Sequence, residues 1–312
     1  MNIKNKKLNP YKVSCYEIYR NYKLGEGNYS EVFLARCLDE EKISKYKIID
    51  GMVAVKKISM INFNSKTIKK IKDEMEIMQL IKNNPHSNIV GCYDIIDDID
   101  TVYIVMEYCV DGDLSKNLDY SMNEKIVKSY FSQIVNGLIY LSNNNIIHRD
   151  IKPKNILLTN DKKTIKLCDF GLAKIMTGLT RMNTICGSPL YMAPEILNQK
   201  NYTNTIDIWS IGIILFEMIF GYHPMVQCKD IEELKNYINE NEIAIPPDNF
   251  NGTISVECVN ILKLLLQKSD KDRINIQNIL KHKWFNEVEI LNENYINNNI
   301  EQDNNEIFEF EY

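Results

Sequence analysis

The stretch HRDIKPKN, at residues 148–155, decides the fold of this chain. Two shorter motifs follow it, DFG at residues 169–171 and APE at residues 193–195. Each motif alone is compatible with an ordinary loop that carries charged residues. Their joint occurrence in this order and at this spacing makes coincidence negligible, so we interpret them as parts of one site.

A glycine-rich segment, LGEGNYSEV at residues 24–32, lies upstream between two strand patterns. Gly25 and Gly27 would let backbone N–H groups approach phosphate oxygens without obstruction by side chains. A plain β-hairpin explains the same residues equally well, so this segment alone does not decide between the two interpretations.

A lysine, Lys56, ends the apolar strand pattern VAVK at residues 53–56. Burial of a lysine is costly unless an acidic partner neutralises its charge. The helical spacing of apolar residues over 65–82 lets Glu74 face this strand, and Glu76, on another face of the helix, is the second choice. The alternative is a lysine at a strand end that faces water.

The sequence pattern changes along the chain from strands to helices. Roughly the first hundred residues carry strand patterns with one helix, interrupted by a charged segment at residues 39–50 that we interpret as a solvated insertion. We predict helices at residues 126–143, 205–220, 255–267 and 274–280. A small β-rich lobe followed by a larger helical lobe is an α+β architecture, which predicts a cleft between the lobes.

These patterns divide the chain into four parts. We expect an N-terminal extension at residues 1–18, a small lobe at about 19–108, a large lobe at about 109–285 and a tail at 286–312. The tail is acidic and rich in Asn, without Lys or Arg, a composition typical of segments that cannot form a packed core.

The composition is that of an ordinary globular protein, with 45% hydrophobic and 25% charged residues. No run approaches the roughly 18 apolar residues that cross a bilayer, and no apolar signal core follows the N-terminus, so we predict a cytoplasmic protein. The formal net charge of −5 argues against nucleic acid as the main partner. The 8 cysteines are scattered without metal-binding or disulfide spacing, which indicates reduced thiols.

At the three motifs quoted first, the chain resembles the eukaryotic protein kinase family, over about residues 19–285. The resemblance implies a bilobal kinase fold that transfers the γ-phosphate of ATP to hydroxyls of protein substrates. It also implies Mg²⁺ as the metal, with Mn²⁺ as the alternative. Lys152, two residues after Asp150, resembles the serine/threonine class of the family.

The resemblance also implies a role for each polar residue of the motifs. Asp150 would accept the proton of the substrate hydroxyl and orient that hydroxyl towards the γ-phosphorus. Asn155 and Asp169 would supply oxygen ligands to Mg²⁺. Lys152 would neutralise charge on the transferred phosphoryl group, and Lys56 would hold the α- and β-phosphates. The catalytic set is complete, which argues against a degraded pseudokinase.

An ATP-binding cleft follows from the same resemblance. Adenine is expected between apolar side chains of both lobes, with residues 106–109 as the hinge, Met106 as the gatekeeper and Asp113 near the ribose. The expected ATP-binding residues are Leu24, Gly25, Gly27, Val32, Ala54, Lys56, Glu74, Glu107, Cys109, Asp113 and Leu157. Core packing explains the apolar members equally well, because a pocket lining and a core need the same chemistry.

The segment between the DFG and APE motifs contains the string CGSPLYMAPEIL, which resembles the autophagy-initiating kinases. This resemblance implies an activating phosphorylation of Thr184, whose phosphate would pair with Arg149. Thr177 and Thr180 are rival sites, and Ser188 is expected to hold the catalytic loop through its hydroxyl. Either an upstream kinase or a second copy of the chain, acting in trans, would supply the phosphate.

Two other functions are compatible with parts of this pattern. A scaffold that holds ATP and partner proteins with little turnover would keep the same fold, but the intact catalytic residues argue against it. A kinase of the calcium/calmodulin-dependent type would share both lobes, and a basic amphipathic helix would then follow the kinase domain. The segment after residue 285 is acidic instead.

Overall fold

A six-stranded antiparallel sheet forms the small lobe in the computed structural model, which describes residues 10–27, 29–61, 63–118, 122–176, 187–249 and 252–286. The strands are β1 (Pro10–Val13), β2 (Tyr16–Glu26), β3 (Ser30–Cys37), β4 (Met52–Ser59), β5 (Cys92–Asp98) and β6 (Thr101–Glu107), in the spatial order β1-β2-β3-β4-β6-β5. Strand β1 and the start of β2 come from the predicted N-terminal extension, so this segment adds a strand to the edge of the sheet.

Two helices accompany this sheet in the described part of the small lobe, one more than the sequence predicts. Helix α1 (Glu40–Tyr46) lies in the charged insertion, and helix α2 (Ser65–Asn83) follows β4. Asp39 caps α1 by accepting the N–H of Lys42 at 3.1 Å, and the acidic first turn of the helix is also favourable at its N-terminus.

The large lobe is built around one buried helix. In the described residues of this lobe, the helices are α3 (Glu124–Asn143), α4 (Pro194–Leu197), α5 (Thr205–Phe220), α6 (Ile231–Glu240), α7 (Val256–Leu265) and α8 (Ile276–Ile279). Helix α5, at the predicted bounds, is apolar around its circumference and is packed between α3 and α7. Helix α6, which the sequence pattern does not predict, is amphipathic, and its buried residues are Leu234 and Ile238.

Three short two-stranded ribbons complete the strands of the described residues. They pair β7 (Ile146–Ile147) with β10 (Lys174–Ile175), β8 (Ile156–Thr159) with β9 (Thr164–Leu167), and β11 (Asp248–Asn249) with β12 (Gly252–Thr253). The sequence pattern predicts none of these ribbons. The first two flank the quoted motifs and hold them in place.

The two lobes meet where β9 approaches the segment before β5. The N–H of Leu167 donates to the carbonyl of Asn88 at 2.9 Å, and the N–H of Val90 donates to the carbonyl of Leu167 at 2.9 Å. The predicted α+β architecture of two lobes is thereby confirmed. Within the described residues, each helix is either too short or too polar to cross a membrane.

Candidate active site

Lys56, in the second half of β4, meets two carboxylates. Its Nζ is 2.5 Å from Oε1 of Glu74 on α2 and 3.0 Å from Oδ1 of Asp169. Burial alone would lower the pKa of Lys56, but the charges of Glu74 and Asp169 outweigh burial and raise it. The structure thus brings the predicted lysine together with Glu74, the first-choice partner, and keeps it protonated.

Asp169 follows strand β9 and has a side chain that is 48% exposed. Its φ of 64° lies in the left-handed region that side chains disfavour. Partial burial would raise the pKa of Asp169, but the charge of Lys56 outweighs it and lowers the pKa. The next residue, Phe170, is buried against His148, with ring centroids 5.2 Å apart, and this contact anchors the segment in the core.

The loop of residues 148–155 is fixed by Asp207, in the first turn of α5. Its Oδ2 accepts the N–H of His148 at 2.8 Å and its Oδ1 accepts the N–H of Arg149 at 2.9 Å. Arg149 has a φ of 68°, a strained conformation that persists only where surrounding bonds determine it. The two hydrogen bonds from Asp207 supply that constraint immediately before Asp150.

Asp150 is held by three neighbouring side chains. Asn155 donates from Nδ2 to Oδ2 of Asp150 at 3.0 Å and to its carbonyl at 2.8 Å. Lys152 Nζ lies 2.8 Å from the same Oδ2. Ser188 donates its N–H and its hydroxyl to Oδ1 at 2.9 and 3.1 Å. Both carboxylate oxygens of Asp150 are therefore oriented by hydrogen bonds.

Ser188 reaches Asp150 because Gly187 lets the chain pass close to the loop. Gly187 has a φ of 108°, and a Cβ at this position would lie 2.7 Å from the carbonyl oxygen of Arg149, a distance that real structures do not tolerate. The Ser188 hydroxyl also accepts a hydrogen bond from Lys152 Nζ at 2.8 Å. The predicted contact of the Ser188 hydroxyl with the loop is thus present.

The oxygen atoms around Asp169 fit a hard divalent cation. Asn155 uses Nδ2 for both of its hydrogen bonds to Asp150, so neither of these bonds occupies its amide oxygen. The N–H of Cys168 donates to the carbonyl of Asn155 at 3.0 Å, so the residue before Asp169 lies beside Asn155. One ionised carboxylate and one amide oxygen are the ligand types that Mg²⁺ accepts in sites completed by phosphates.

Most of the predicted ATP-binding residues of the small lobe lie across three neighbouring strands, β2, β3 and β4. Gly25 of β2 pairs with Val32 of β3, and Val32 pairs with Lys56 of β4. Ala54, only 7% exposed, pairs with Met106 of β6. Because directly paired residues share a face of a sheet, Val32 and Lys56 project to the same side.

The glycine-rich turn continues the same surface beyond the paired strands. The N–H of Gly27 donates to the carbonyl of Ser30 at 2.8 Å, which closes the turn between β2 and β3. Leu24, predicted to cover adenine, is 40% exposed. Leu24 is therefore not part of the buried core of the small lobe.

The remaining predicted residues lie along the connection between the lobes. Glu107 ends β6, and Cys109 is buried, which raises the pKa of its thiol to about 12. Asp113 forms a β-bridge with Leu157 of β8. It accepts a hydrogen bond from Ser115 and lies 3.0 Å from Nζ of Lys116.

A further ion pair at this connection was missed by sequence analysis. Oε2 of Glu107 lies 2.8 Å from Nζ of Lys166 on β9 and accepts the N–H of Gly91 at 3.1 Å. The sequence pattern predicted Glu107 only as a hinge residue that binds ATP. The one available sequence signal was a lysine between apolar residues in the pattern TIKL. In the structure, the Lys166 side chain is 12% exposed.

The predicted phosphorylation site Thr184, and its rivals Thr177 and Thr180, lie outside the described residues. The guanidinium of Arg149, expected to pair with that phosphate, donates from Nε to the carbonyl of Leu172 at 2.5 Å. It also donates from Nη1 to the hydroxyl of Tyr202 at 3.2 Å. Arg149 therefore lies beside the first residues of the segment that carries these threonines.

Comparison with known proteins gives one family. A family model described as the protein kinase domain matches residues 18–285. The serine/threonine-protein kinase atg1 of Dictyostelium discoideum is 35% identical over 85% of this chain and 38% of its own length. The human serine/threonine-protein kinase ULK3 is 33% identical over 84% of this chain and 53% of its own length.

A third relative is protein R517/R518 of Acanthamoeba polyphaga mimivirus, whose name assigns it to the serine/threonine-protein kinases. It is 37% identical over 84% of this chain and 61% of its own length. The chain thus spans less than two thirds of the length of these relatives. The predicted resemblance to the autophagy-initiating branch is confirmed, because atg1 and ULK kinases are among them.

Proposed function

Because the chain belongs to the protein kinase family, we propose that it transfers the γ-phosphate of ATP to serine and threonine hydroxyls of proteins. The observation that carries this proposal is the convergence of two polar groups. Lys56 with its two carboxylates forms one, and Asp150 with Lys152 and Asn155 forms the other. The first group suits nucleotide phosphates and the second suits an acceptor hydroxyl.

ATP would bind with its adenine between the small sheet and Leu157, beside the backbone of Glu107 and Cys109. The pairing of Val32 with Lys56 supports this placement, since both side chains project to one side of the sheet. Lys56 would contact the α- and β-phosphates through Nζ, which Glu74 holds in position. The glycine-rich turn at Gly25 and Gly27 would cover the phosphates with backbone N–H groups.

Asp150 would act as the catalytic base. As the acceptor oxygen attacks the γ-phosphorus, its proton passes to the Asp150 carboxylate and the bond from the γ-phosphorus to the leaving ADP oxygen breaks. The hydrogen bonds from Asn155 and Ser188 support this role, because they orient the carboxylate before the substrate arrives. Lys152 would neutralise the negative charge that accumulates on the transferred group.

Asn155 and Asp169 would hold Mg²⁺, or Mn²⁺ as the alternative, which neutralises phosphate charge when bound. Lys56 favours this role, because its charge lowers the pKa of Asp169 and keeps that carboxyl ionised at neutral pH.

Phosphorylation of Thr184 would order the segment before the APE motif. Arg149 supports this proposal, because it directly precedes Asp150 in the sequence. Its guanidinium also contacts Leu172, which comes before that segment, and Tyr202, which comes after it. Thr184→Ala is expected to reduce transfer, whereas Thr177→Ala and Thr180→Ala serve as matched controls. Undiminished activity of Thr184→Ala would contradict the proposal, and mass spectrometry of the active chain would identify the modified residue.

The partners would be protein substrates, together with an upstream kinase or a second copy that phosphorylates Thr184 in trans. We place the chain in the cytoplasm, since the 7 described cysteines are all unpaired. The division into an extension, a kinase domain at residues 19–285 and an acidic tail remains a prediction.

The test is transfer of labelled phosphate from Mg-ATP to a generic protein, with Asp150→Asn as the inactive variant. Asp98→Asn, which changes an exposed aspartate at the end of β5, is the matched control. We expect labelled phosphoserine and phosphothreonine with the unsubstituted chain and the control, and at least a hundred-fold less with Asp150→Asn. ATP binding without transfer, even in the Thr184→Glu variant, would favour the scaffold instead.

A further inference from the structure

Asp94 joins three elements of the small lobe through one carboxylate. Its Oδ2 lies 2.6 Å from Nζ of Lys42 on α1, and its Oδ1 lies 3.0 Å from Nζ of Lys82 in the last turn of α2. The hydroxyl of Tyr16 on β2 donates to the same Oδ2 at 3.4 Å. The side chains of Lys42, Lys82 and Asp94 are 30%, 25% and 20% exposed, so water screens these pairs only partly.

A β-bulge places Asp94 in this position. The register between β5 and β6 shifts between Cys92 and Asp94, and such a bulge redirects the side chains of the bulged strand. Burial alone would raise the pKa of Asp94, but Lys42 and Lys82 outweigh burial and lower the pKa. The carboxylate is therefore charged when it bridges the two helices.

Helix α1 depends on contacts with the rest of the small lobe. It has 7 residues, none of them buried, and helices of this length are not stable alone in water. Ile43 and Tyr46 pack against the apolar cluster of the small sheet, and the ring of Tyr46 lies 5.2 Å from that of Tyr93. Lys42 adds the charged contact that connects α1 with α2.

Helix α2 carries both Glu74 and Lys82. A helix is a rigid unit, so a shift at its C-terminal end moves every side chain along it. The contact between Glu74 and Lys56, at 2.5 Å, depends on where α2 places the Glu74 carboxylate. Contacts that fix the end of α2 therefore also fix the position of Glu74.

We propose that the inserted helix α1 acts as a strut, which holds the end of α2 through Lys42, Asp94 and Lys82 and thereby keeps Glu74 on Lys56. Asp94 and Lys42 are positioning residues, because they contact neither the proposed nucleotide site nor Asp150. This inference rests on the proposed function, in which the pair of Lys56 and Glu74 positions ATP.

The first test compares kcat/KM for Mg-ATP among variants of the whole chain. Lys42→Met, which removes one ion pair, is expected to lower kcat/KM about three-fold, and Asp94→Asn, which weakens two, about ten-fold. Lys42→Arg should keep most of the kcat/KM that Lys42→Met loses, because arginine retains the positive charge. Lys45→Met, on an exposed position of the same helix, is the matched control and should match the unsubstituted chain.

The second test is hydrogen exchange, which needs no activity. Asp94→Asn should speed exchange of the α2 amides and leave α5 unchanged. Faster exchange confined to α1 with unchanged kcat/KM would overturn the proposal, and so would equally faster exchange in both lobes. If the unsubstituted chain transfers no phosphate, the proposed function fails instead, whereas the exchange pattern of α2 still decides whether the strut exists.

Discussion

Lys56 contributes both to the stability of the small lobe and to the proposed chemistry. It is 8% exposed, and Glu74 is 6% exposed, so neither charge is well solvated. An ion pair this deep offsets the loss of hydration only while both partners are present. The same pair leaves Lys56 protonated and aimed at the cleft, where phosphate oxygens would bind.

Replacing Lys56 separates these two contributions. Lys56→Met is expected to abolish phosphate transfer and to lower the free energy of unfolding by about 3–5 kcal/mol, because Glu74 becomes an uncompensated buried charge. The double variant Lys56→Met with Glu74→Met should regain most of that stability but no activity. Urea unfolding and labelled transfer measure the two effects.

Lys57→Met is the control for this pair, since alternation along the strand places residue 57 on the opposite face. A Lys56→Met chain as stable as the unsubstituted one would contradict the proposed role of the pair in the core.

Lys154 is a single residue that we expect to influence substrate preference. It is exposed in the short turn Pro153–Asn155, beside Lys152. Its positive charge is expected to disfavour substrates with a basic residue just before the target hydroxyl. Substrates with apolar residues beside the target should be accepted. Lys154→Glu should raise kcat/KM about five-fold for peptides with Arg upstream of the target.

A peptide array checks this preference, with Lys163→Glu, on the β8–β9 turn, as the control. A strong selection for upstream Arg by the unsubstituted chain would show that the preference is set elsewhere.

At the scale of elements, helix α5 is tied to the segment after Ser188 by one partly buried carboxyl. The Tyr191 hydroxyl lies 3.0 and 2.9 Å from Oε1 and Oε2 of Glu217. Burial raises the pKa of Glu217 from 4.5 to about 7, although the hydrogen bond from Tyr191 acts in the opposite direction. The folded chain therefore binds this proton more tightly than the unfolded chain does.

This shift predicts a pH dependence of stability with a definite sign. The contribution of protonated Glu217 is complete below about pH 4.5 and is lost as the pH rises through about 7. His223, whose pKa burial lowers to about 4, gives the opposite slope below pH 6.5. Of these two groups, therefore, only Glu217 changes the free energy of unfolding between about pH 6.5 and 8, and urea unfolding in that range measures its contribution.

In that range the free energy of unfolding should fall for the unsubstituted chain relative to Glu217→Gln. Parallel curves for the two proteins would show that Glu217 does not titrate there.

At the scale of the whole molecule, the two lobes are joined by more than the chain that connects them. The hydrogen bonds of Leu167 with Asn88 and Val90, and the ion pair of Glu107 with Lys166, link β9 to the small lobe. Asp169 lies two residues after the end of β9, so the proposed metal ligand is coupled to the relative position of the lobes. A nucleotide held by both lobes should stabilise this arrangement.

The expected result is a rise in the free energy of unfolding of about 2.7 kcal/mol with Mg²⁺ and a non-hydrolysable ATP analogue at a hundred times the dissociation constant. EDTA should remove most of this gain, and Asp169→Asn should remove its dependence on the metal. Asp98→Asn, at an exposed position that ends β5, should behave as the unsubstituted chain. A gain that EDTA and Asp169→Asn both leave intact would show that the metal binds elsewhere or not at all.

Residue types and local spacing alone were sufficient for much of this protein. The order of the motifs at residues 148–155, 169–171 and 193–195 predicted the family, and apolar periodicity predicted α2, α3 and α5. The pair of Lys56 and Glu74 was also predictable, because a lysine in a buried strand requires a carboxylate and the next helix offers one. These features are local, or depend on a single strong energetic requirement.

Only the tertiary structure decided the rest. The ribbons β7–β10 and β8–β9 consist of strands of two to four residues, too short to show a period, and they form because the surrounding lobe supplies their contacts. Helix α1 carries no buried residue, so no apolar pattern marks it. The bridges of Asp94 to Lys42 and of Glu107 to Lys166 join charges that are far apart in sequence. A charged residue does not encode its partner locally, since Coulomb attraction acts between whichever charges the fold brings together.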